Sequence, residues 1–363
     1  LGLNQFYNPR AIDISRDNNF ALVSVYIGGK YYIYKINLLN NTVTNSYDLD
    51  DKEPSDVAID PNNLYALVTT FGLNQKVKKI HFSNNTIENI GNFFQNPRGV
   101  AIDPDGIFAL VIDKNGTGAQ HIHRIRLTDH DVGYVQATLY DPRGITITSD
   151  SLYAIVCDWS PWGGSGRLLK INIATGSYVK IANLIEPISV TLTPDNSFAF
   201  VIATGVSVWN DARNVINAVD MSTGVVTTIA GQPGIGNADG NGNAAQFQYP
   251  EGVVISPSGN FALVTDYGNN TIRMITNIND INNTYSFGKS SDNFNNYNYT
   301  DIIDHKSLLS YNYKVINSNE CNLFSYINGF PKDLNTASSG DYQPLFTVIS
   351  DNTNLDLSVR RSN

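Results

Sequence analysis

Six times along the chain a proline is followed eleven residues later by an aromatic residue that opens a short apolar run. The pairs are Pro9 and Phe20, Pro54 and Tyr65, Pro97 and Phe108, Pro142 and Tyr153, Pro187 and Phe198, and Pro250 and Phe261. The runs they open read FALV, YALV, FALV, YAIV, FAFV and FALV. An offset that holds in all six copies is not chance, and a period near 45 residues belongs to propeller blades or helical solenoids. Within each unit β-branched and aromatic residues alternate in short stretches broken by Pro, Asp, Asn and Gly, which is strand rather than helix patterning. The third unit divides into a strand at 99–103, a tight turn at 104–106, and strands at 108–113, 123–127 and 132–139. Four antiparallel strands make one blade.

The turn after the first strand has a local cause in Asp60-Pro-Asn-Asn63, Asp103-Pro-Asp-Gly106, Thr193-Pro-Asp-Asn196 and Ser256-Pro-Ser-Gly259. Proline presets one corner and Asn, Asp or Gly takes the strained one. The next strand is apolar on both faces, as an inner strand packed between two neighbouring sheets must be.

Residues 249–273, Tyr-Pro-Glu-Gly-Val-Val-Ile-Ser-Pro-Ser-Gly-Asn-Phe-Ala-Leu-Val-Thr-Asp-Tyr-Gly-Asn-Asn-Thr-Ile-Arg, resemble the repeat of NHL β-propellers. The glycine-rich stretch 230–247 also resembles a long connection of that family, and it accounts for the 63 residues between Pro187 and Pro250 where the other intervals are 43 to 45. The resemblance covers residues 1 to about 289. It implies an all-β, six-bladed propeller with blades at about 7–51, 52–94, 95–139, 140–184, 185–247 and 248–289, followed by a C-terminal appendage at 290–363. The family's Asp at the end of the second strand is kept as Asp113, Asp158 and Asp266 and replaced by Val25, Thr70 and Ala203. The expectation is that those three blades brace the following turn differently.

The chain holds 24 basic and 33 acidic residues, a net charge of −9. That balance argues against the phosphate-neutralising surface of a nucleic-acid binder. No stretch approaches the length of a membrane span. The chain starts at Leu1 with no leader peptide, as a processed protein or a fragment would. Of the two cysteines, Cys157 reads as a small buried residue of the fourth blade, with a bridge to Cys321 as the alternative. Asn40, Asn84, Asn115, Asn269, Asn282 and Asn298 stand in Asn-x-Ser/Thr sequons. The first four fall at expected turns, as in a secreted or surface glycoprotein.

Propellers bind at the mouth of the central channel, reached just after each proline by Arg10, Ser55, Arg98, Arg143, Ile188 and Glu251. Arg10, Arg98 and Arg143 could clamp a carboxylate, sulfate or acidic glycan. The alternative is that each arginine pairs with a nearby carboxylate. Trp159 and Trp162, on a glycine-rich loop, suit stacking on a sugar or a partner protein, or fold back on their own blade. His121 and His123 share a strand face at a spacing that allows a metal but bring no third ligand, so a solvated surface pair is expected. Asp13, Asp60 and Asp103 sit at strand ends, where carboxylates cap backbone N–H groups. The Asp239-Gly-Asn-Gly-Asn243 run lacks the Gly and the terminal Glu of an EF-hand.

The tail from 290 is rich in Asn, Ser and Tyr, with strand-like pieces at 311–316 and 345–349. It is a small β element, a degenerate blade, or an arm adding a strand to a neighbour. No cofactor is implied. The functional expectation is a non-catalytic interaction or structural module of an extracellular or surface assembly such as a filament, appendage or coat. Its partners would be proteins, its own copies through the tail, or a glycan or anionic ligand. The alternatives are a virion surface protein, or a metal-dependent lyase or hydrolase of the amidating-lyase or lactonase kind with its site on the axis.

Overall fold

A computed structural model describes residues 6–73, 75–114, 121–159, 165–204, 213–276, 278 and 287–288, and in the C-terminal segment 324–327, 330–333, 346–351 and 354–359. Six four-stranded antiparallel sheets follow one another along the chain. They are β1 to β4 (Ile12–Ile14, Phe20–Ile27, Lys30–Asn37, Thr42–Asp48) and β5 to β8 (Pro54–Ile59, Tyr65–Thr70, Gln75–His81, Ile87–Phe94). The third and fourth are β9 to β12 (Pro97–Ile102, Phe108–Asp113, His121–Arg126, Val132–Val135) and β13 to β16 (Asp141–Ile147, Tyr153–Trp159, Ser165–Asn172, Tyr178–Ile185). The last two are β17 to β20 (Pro187–Leu192, Phe198–Thr204, Arg213–Asp220, Val226–Pro233) and β21 to β24 (Pro250–Ile255, Phe261–Asp266, Thr271–Thr276, Phe287–Gly288).

Each sheet is one blade, and its strands pair in chain order from the channel outward. The turn between the first two strands recurs with a left-handed residue nine positions after each proline: Asn18, Asn63, Gly106, Ser151, Asn196 and Gly259, with φ between 58° and 72°. Its N–H returns to the carbonyl three residues back, as from Asn63 to Asp60 and from Gly259 to Ser256. Asn and Gly tolerate that conformation, so four of the six turns repeat the Pro-plus-Asn/Gly chemistry and the other two reach the same shape without proline.

The core is six clusters, one between each pair of adjacent blades. Alternate residues of the second strand serve opposite neighbours. In blade 2, Ala66 and Val68 join Leu22 and Ile33 of blade 1, while Leu67 joins Ala109 and Val111 of blade 3. Blade 6 meets blade 1 in the same manner, through Val254, Leu263 and Ile272 against Ile12, Ile14 and Val23. All four strands of blade 1 come from its own segment, so the ring closes without strand exchange. The seam is held by this packing and by hydrogen bonds from Thr265 Oγ1 to the Arg10 carbonyl (2.6 Å) and from the Asn8 N–H to Asn270 Oδ1 (2.8 Å).

The glycine-rich connection into blade 6 is pinned from behind by Arg273. Its guanidinium donates to the carbonyls of Gln246 and Ala238 and pairs with Asp239 and Asp266, while Phe247 and Ala245 of the same connection enter the core. Asp239 is therefore an anchor of a loop.

Cys157 is a free thiol wholly buried between blades 4 and 5, where burial pushes its ionisation up. It stands at the position filled by Ser24, Thr69 and Thr265 in other blades. Cys321 and residues 311–316 lie outside the described residues. The chain divides into two compact units, 1–294 and 295–363. The second contains two hairpins, Phe324–Ile327 with Phe330–Asp333 and Phe346–Asp351 with Asn354–Val359, the latter taking in the expected strand at 345–349. Among the described residues no helix is long and apolar enough to cross a membrane.

Candidate functional site

All six innermost strands line one cavity of about 390 Å³ on the ring axis. The wall contains Asp13, Ser55, Asp56, Thr146, Ser189 and Thr191, with Arg10, Arg98, Arg143 and Glu251 towards one end. The innermost strand of any blade is a sheet edge whose outward N–H groups need acceptors. The preceding blade supplies them. Ile59 N–H donates to Asp13 Oδ2 (2.6 Å), Val100 N–H to Asp56 Oδ2 (2.9 Å), Val253 N–H to Ser189 Oγ (3.1 Å) and Ile255 N–H to Thr191 Oγ1 (3.3 Å). Where the position two after the proline is Gly99, Gly144 or Gly252, the next strand instead comes so close that a Cβ would lie 2.4 to 2.7 Å from a backbone carbonyl.

Asp60 and Asp103 cap their turns as expected, accepting from Leu64 N–H and from Ile107 and Phe108 N–H. Asp13 differs, because it faces the channel and reaches the next blade. Enclosure by the channel wall outweighs the backbone donors at Asp13 and Asp56 and raises both carboxyls to about 7, with the Asp13 charge adding to the effect at Asp56. A carboxyl whose folded value lies above its unfolded one, near 3.9, stabilises the fold below the unfolded value. It loses that contribution as pH rises through the folded one. The expected result is that the thermal midpoint of the wild type falls relative to that of an Asp13→Asn/Asp56→Asn variant between about pH 4 and pH 7. A gap that does not change with pH in unfolding scans would remove the assignment.

At the mouth Arg10 and Arg98 lean on carboxylates just before the next proline. Arg10 meets Glu53 at 3.3 Å and lies between the rings of Phe71 and Tyr267, and Arg98 meets Asp141 at 3.2 Å. Asp141 also takes Lys114 at 2.9 Å and Arg143 at 3.6 Å. The three arginines are therefore not a set of uncommitted cations. Asp141 is 2% exposed and serves three positive groups, which leaves its sector with a cationic surplus. The Nε atoms of Arg98 and Arg143 are buried with no protein acceptor. Ser55 is committed to structure, its hydroxyl meeting the carbonyls of Pro97 and Arg98. Burial raises the Glu251 carboxyl, with Arg10 and Arg143 acting against that rise.

Several expectations change. Trp159 ends strand β14 instead of standing on an exposed loop, and Arg143 covers its ring at 4.7 Å. The aromatic candidate thus belongs to the mouth. Its nearness to Arg143 follows from strand pairing, which sets Trp159 opposite Asp141. Trp162 lies outside the described residues. His123 is buried, not solvated: it pairs with Asp113 at 3.3 Å and packs on Phe94 and Tyr134. Burial works against the Asp113 charge, but His123 and the N–H groups of Gln95 and Asn96 hold its carboxyl below the usual range. Only the backbone of His121 is described. Among the described residues no three His, Cys, Asp or Glu side chains gather as a metal site would require.

The second-strand aspartates brace the lead-in to their own inner strand, and Asp266 also holds the turn that follows by accepting from Asn269. Asp113 and Asp158 accept from the two N–H groups before Pro97 and Pro142, and Asp266 accepts from Gln248. Antiparallel pairing places the end of the second strand beside the start of the first. In blade 1, with Val25 there, the N–H before Pro9 donates instead to Asn270 Oδ1 of blade 6. Asn40 and Asn84 lie on exposed turns, each accepting from the Thr of its own sequon. Asn269 is different, since it is half-buried and its amide donates to the Gly236 carbonyl and Asp266. Asn115, Asn282 and Asn298 lie outside the described residues.

The fold defines the chain as a six-bladed β-propeller. No protein-family model matches it, nor does any curated protein sequence. Similarity to solved structures is one of fold. A chain of the Kuenenia stuttgartiensis hydrazine synthase aligns with 77% of this chain and 79% of its own at 17% identity and a TM-score of 0.59. An auxiliary nutrient binding protein from Bacteroides thetaiotaomicron aligns over 78% and 69% at 14% identity and 0.58. A chain of a nidogen/laminin complex aligns over 68% and 86% at 16% identity and 0.52.

Proposed function

We propose that this propeller is a non-catalytic binding module of NHL type that works outside the cell, within a surface assembly, and takes its ligand at the Arg10, Arg98 and Arg143 mouth. The observation that carries the reading is the construction of that mouth. Guanidinium groups from separate blades border one cavity and are held in place by carboxylates and aromatic rings. Rigidly held donors of this kind bind without having to be ordered first. The exposed sequons at Asn40 and Asn84 favour a secreted or surface setting, with the virion surface as one such setting. The β-rich tail is the element that would join copies or partners.

A metal-dependent lyase or hydrolase on the axis remains the second reading, because Asp13 and Asp56 face the cavity from adjacent blades. Both carboxylates are already spent on backbone N–H groups of their own and the next blade. The test is binding of the native protein to a panel of surface polysaccharides and extracellular proteins, with an Arg10→Met/Arg98→Met variant alongside. Binding that falls about tenfold or more in the variant supports the reading. Equal binding by both proteins, or metal-dependent turnover of any panel member, overturns it.

A further inference from the structure

Resting on the mouth as the binding surface, we propose that its sector between blades 3 and 4 takes the carboxylate or sulfate of an acidic saccharide. Arg98 and Arg143 occupy the same repeat position on adjacent inner strands and both line the cavity. Asp141, nearly inaccessible beneath them, orients the pair at 3.2 and 3.6 Å without facing the ligand side. Lys114 shares that carboxylate, so one negative charge stands against three positive ones. Two guanidinium groups bordering the same cavity suit the paired oxygens of a carboxylate or sulfate. Trp159, with the Arg143 guanidinium 4.7 Å over its ring, limits the freedom of that side chain.

The rest of the wall selects the body of the ligand. Thr146, Ser189 and Thr191 line the cavity with hydroxyls, and Glu251 adds a carboxyl. A cavity of about 390 Å³ lined in this way matches a polyhydroxylated ring. The exposed surface of the wall is mostly polar, whereas a protein segment would look for apolar anchor pockets. Glu251, close to Arg10 and Arg143, bounds the sector on the blade 6 side and disfavours a second anion there.

The experiment is calorimetric titration of the full chain with four probes: a uronate tetrasaccharide, a neutral tetrasaccharide carrying sulfate esters, the carboxyl-reduced neutral tetrasaccharide, and the peptide Ac-Glu-Glu-Glu-Glu-NH2. One or both acidic saccharides should bind about tenfold or more tightly than the neutral one, and which of them does so identifies the oxyanion. That preference should disappear in Arg98→Met and Arg143→Met and persist in Arg126→Met, a control on the outer part of blade 3. If either mouth variant fails to fold, protection of wild-type Arg98 and Arg143 from phenylglyoxal by the acidic tetrasaccharide gives the same answer. Equal affinity for acidic and neutral saccharides overturns the ligand class. Preference for the acidic peptide, lost in the same two variants, overturns it while leaving the mouth as the binding surface. Binding that ignores both substitutions removes the mouth reading with it.

Discussion

Replacing Arg273 with Met is expected to destabilise the propeller by about 3–5 kcal/mol, since it removes one partner from a buried ion pair and strands the other. Arg273 is 2% exposed and Asp266 is fully buried. The substitution leaves the Asp266 carboxylate in the core without its cation and releases the carbonyls of Ala238 and Gln246, so the connection into blade 6 loses its anchor. In a unit of this size the thermal midpoint should fall by roughly 10 °C. Burial already raises the Asp266 carboxyl. Without Arg273 it is raised further, so lowering the pH neutralises the stranded group. The loss should therefore be smaller at pH 5 than at pH 8 in differential scanning calorimetry. A loss of equal size at both values would mean that packing of the arginine stem, not its charge, holds the connection.

The second large effect is expected at the seam. A Cβ at Gly252 would lie 2.4 Å from the Arg10 carbonyl and 3.1 Å from Ile12 Cγ2 and Thr265 Oγ1. Backbone cannot move aside as a flexible side chain can, so Gly252→Ala should cost about 3 kcal/mol, the upper end for overpacking. Gly144→Ala makes a similar clash between blades 4 and 5, 2.7 Å from the Ile188 carbonyl, but those blades are joined by continuous chain. At the seam no such tether keeps the two sides together, and separating them carries an entropic gain. Hydrogen exchange should show β1 and β21 losing protection in Gly252→Ala, with a smaller local change in Gly144→Ala. Gly133→Ala, whose nearest contact is 4.0 Å, serves as the neutral control. Uniform loss of protection around the ring in Gly252→Ala would count against a discrete seam.

Much of the fold was legible because one physical demand recurs. Each blade needs a tight turn and a strand apolar on both faces, and both leave fixed-offset marks. The mouth was legible in part. Counting from each proline brought Arg10, Arg98, Arg143 and Glu251 to one end of the channel, and the structure keeps them there. The partners of Arg10 and Arg98 were not evident, because Glu53 and Asp141 reach them across a blade boundary and only the ring brings them together. The same counting held an unused signal: Asp13 stands four residues after its proline, whereas Asp60 and Asp103 stand six after theirs. The difference separates a channel-facing bridge from two turn caps. For Trp159 the sequence left open an exposed loop or packing on its own blade, and antiparallel register with Asp141 is what sets it against Arg143 of that blade. His123 was misread for want of a partner that lies ten residues away across a hairpin.

The absence of strand exchange bears on how such a ring can change over generations. Because every blade is drawn from one uninterrupted stretch, about 45 residues long in all but the longer fifth unit, duplication or deletion of a stretch beginning just before any proline adds or removes a whole sheet and breaks no strand pairing. The new unit has to meet its neighbours only through apolar faces and a few edge contacts that all six existing units already share. The seam is the one junction free of the chain's own connectivity. Rings of a different blade number are accordingly reachable from this gene in a single recombination step, and the seam is the place where the altered curvature would be absorbed.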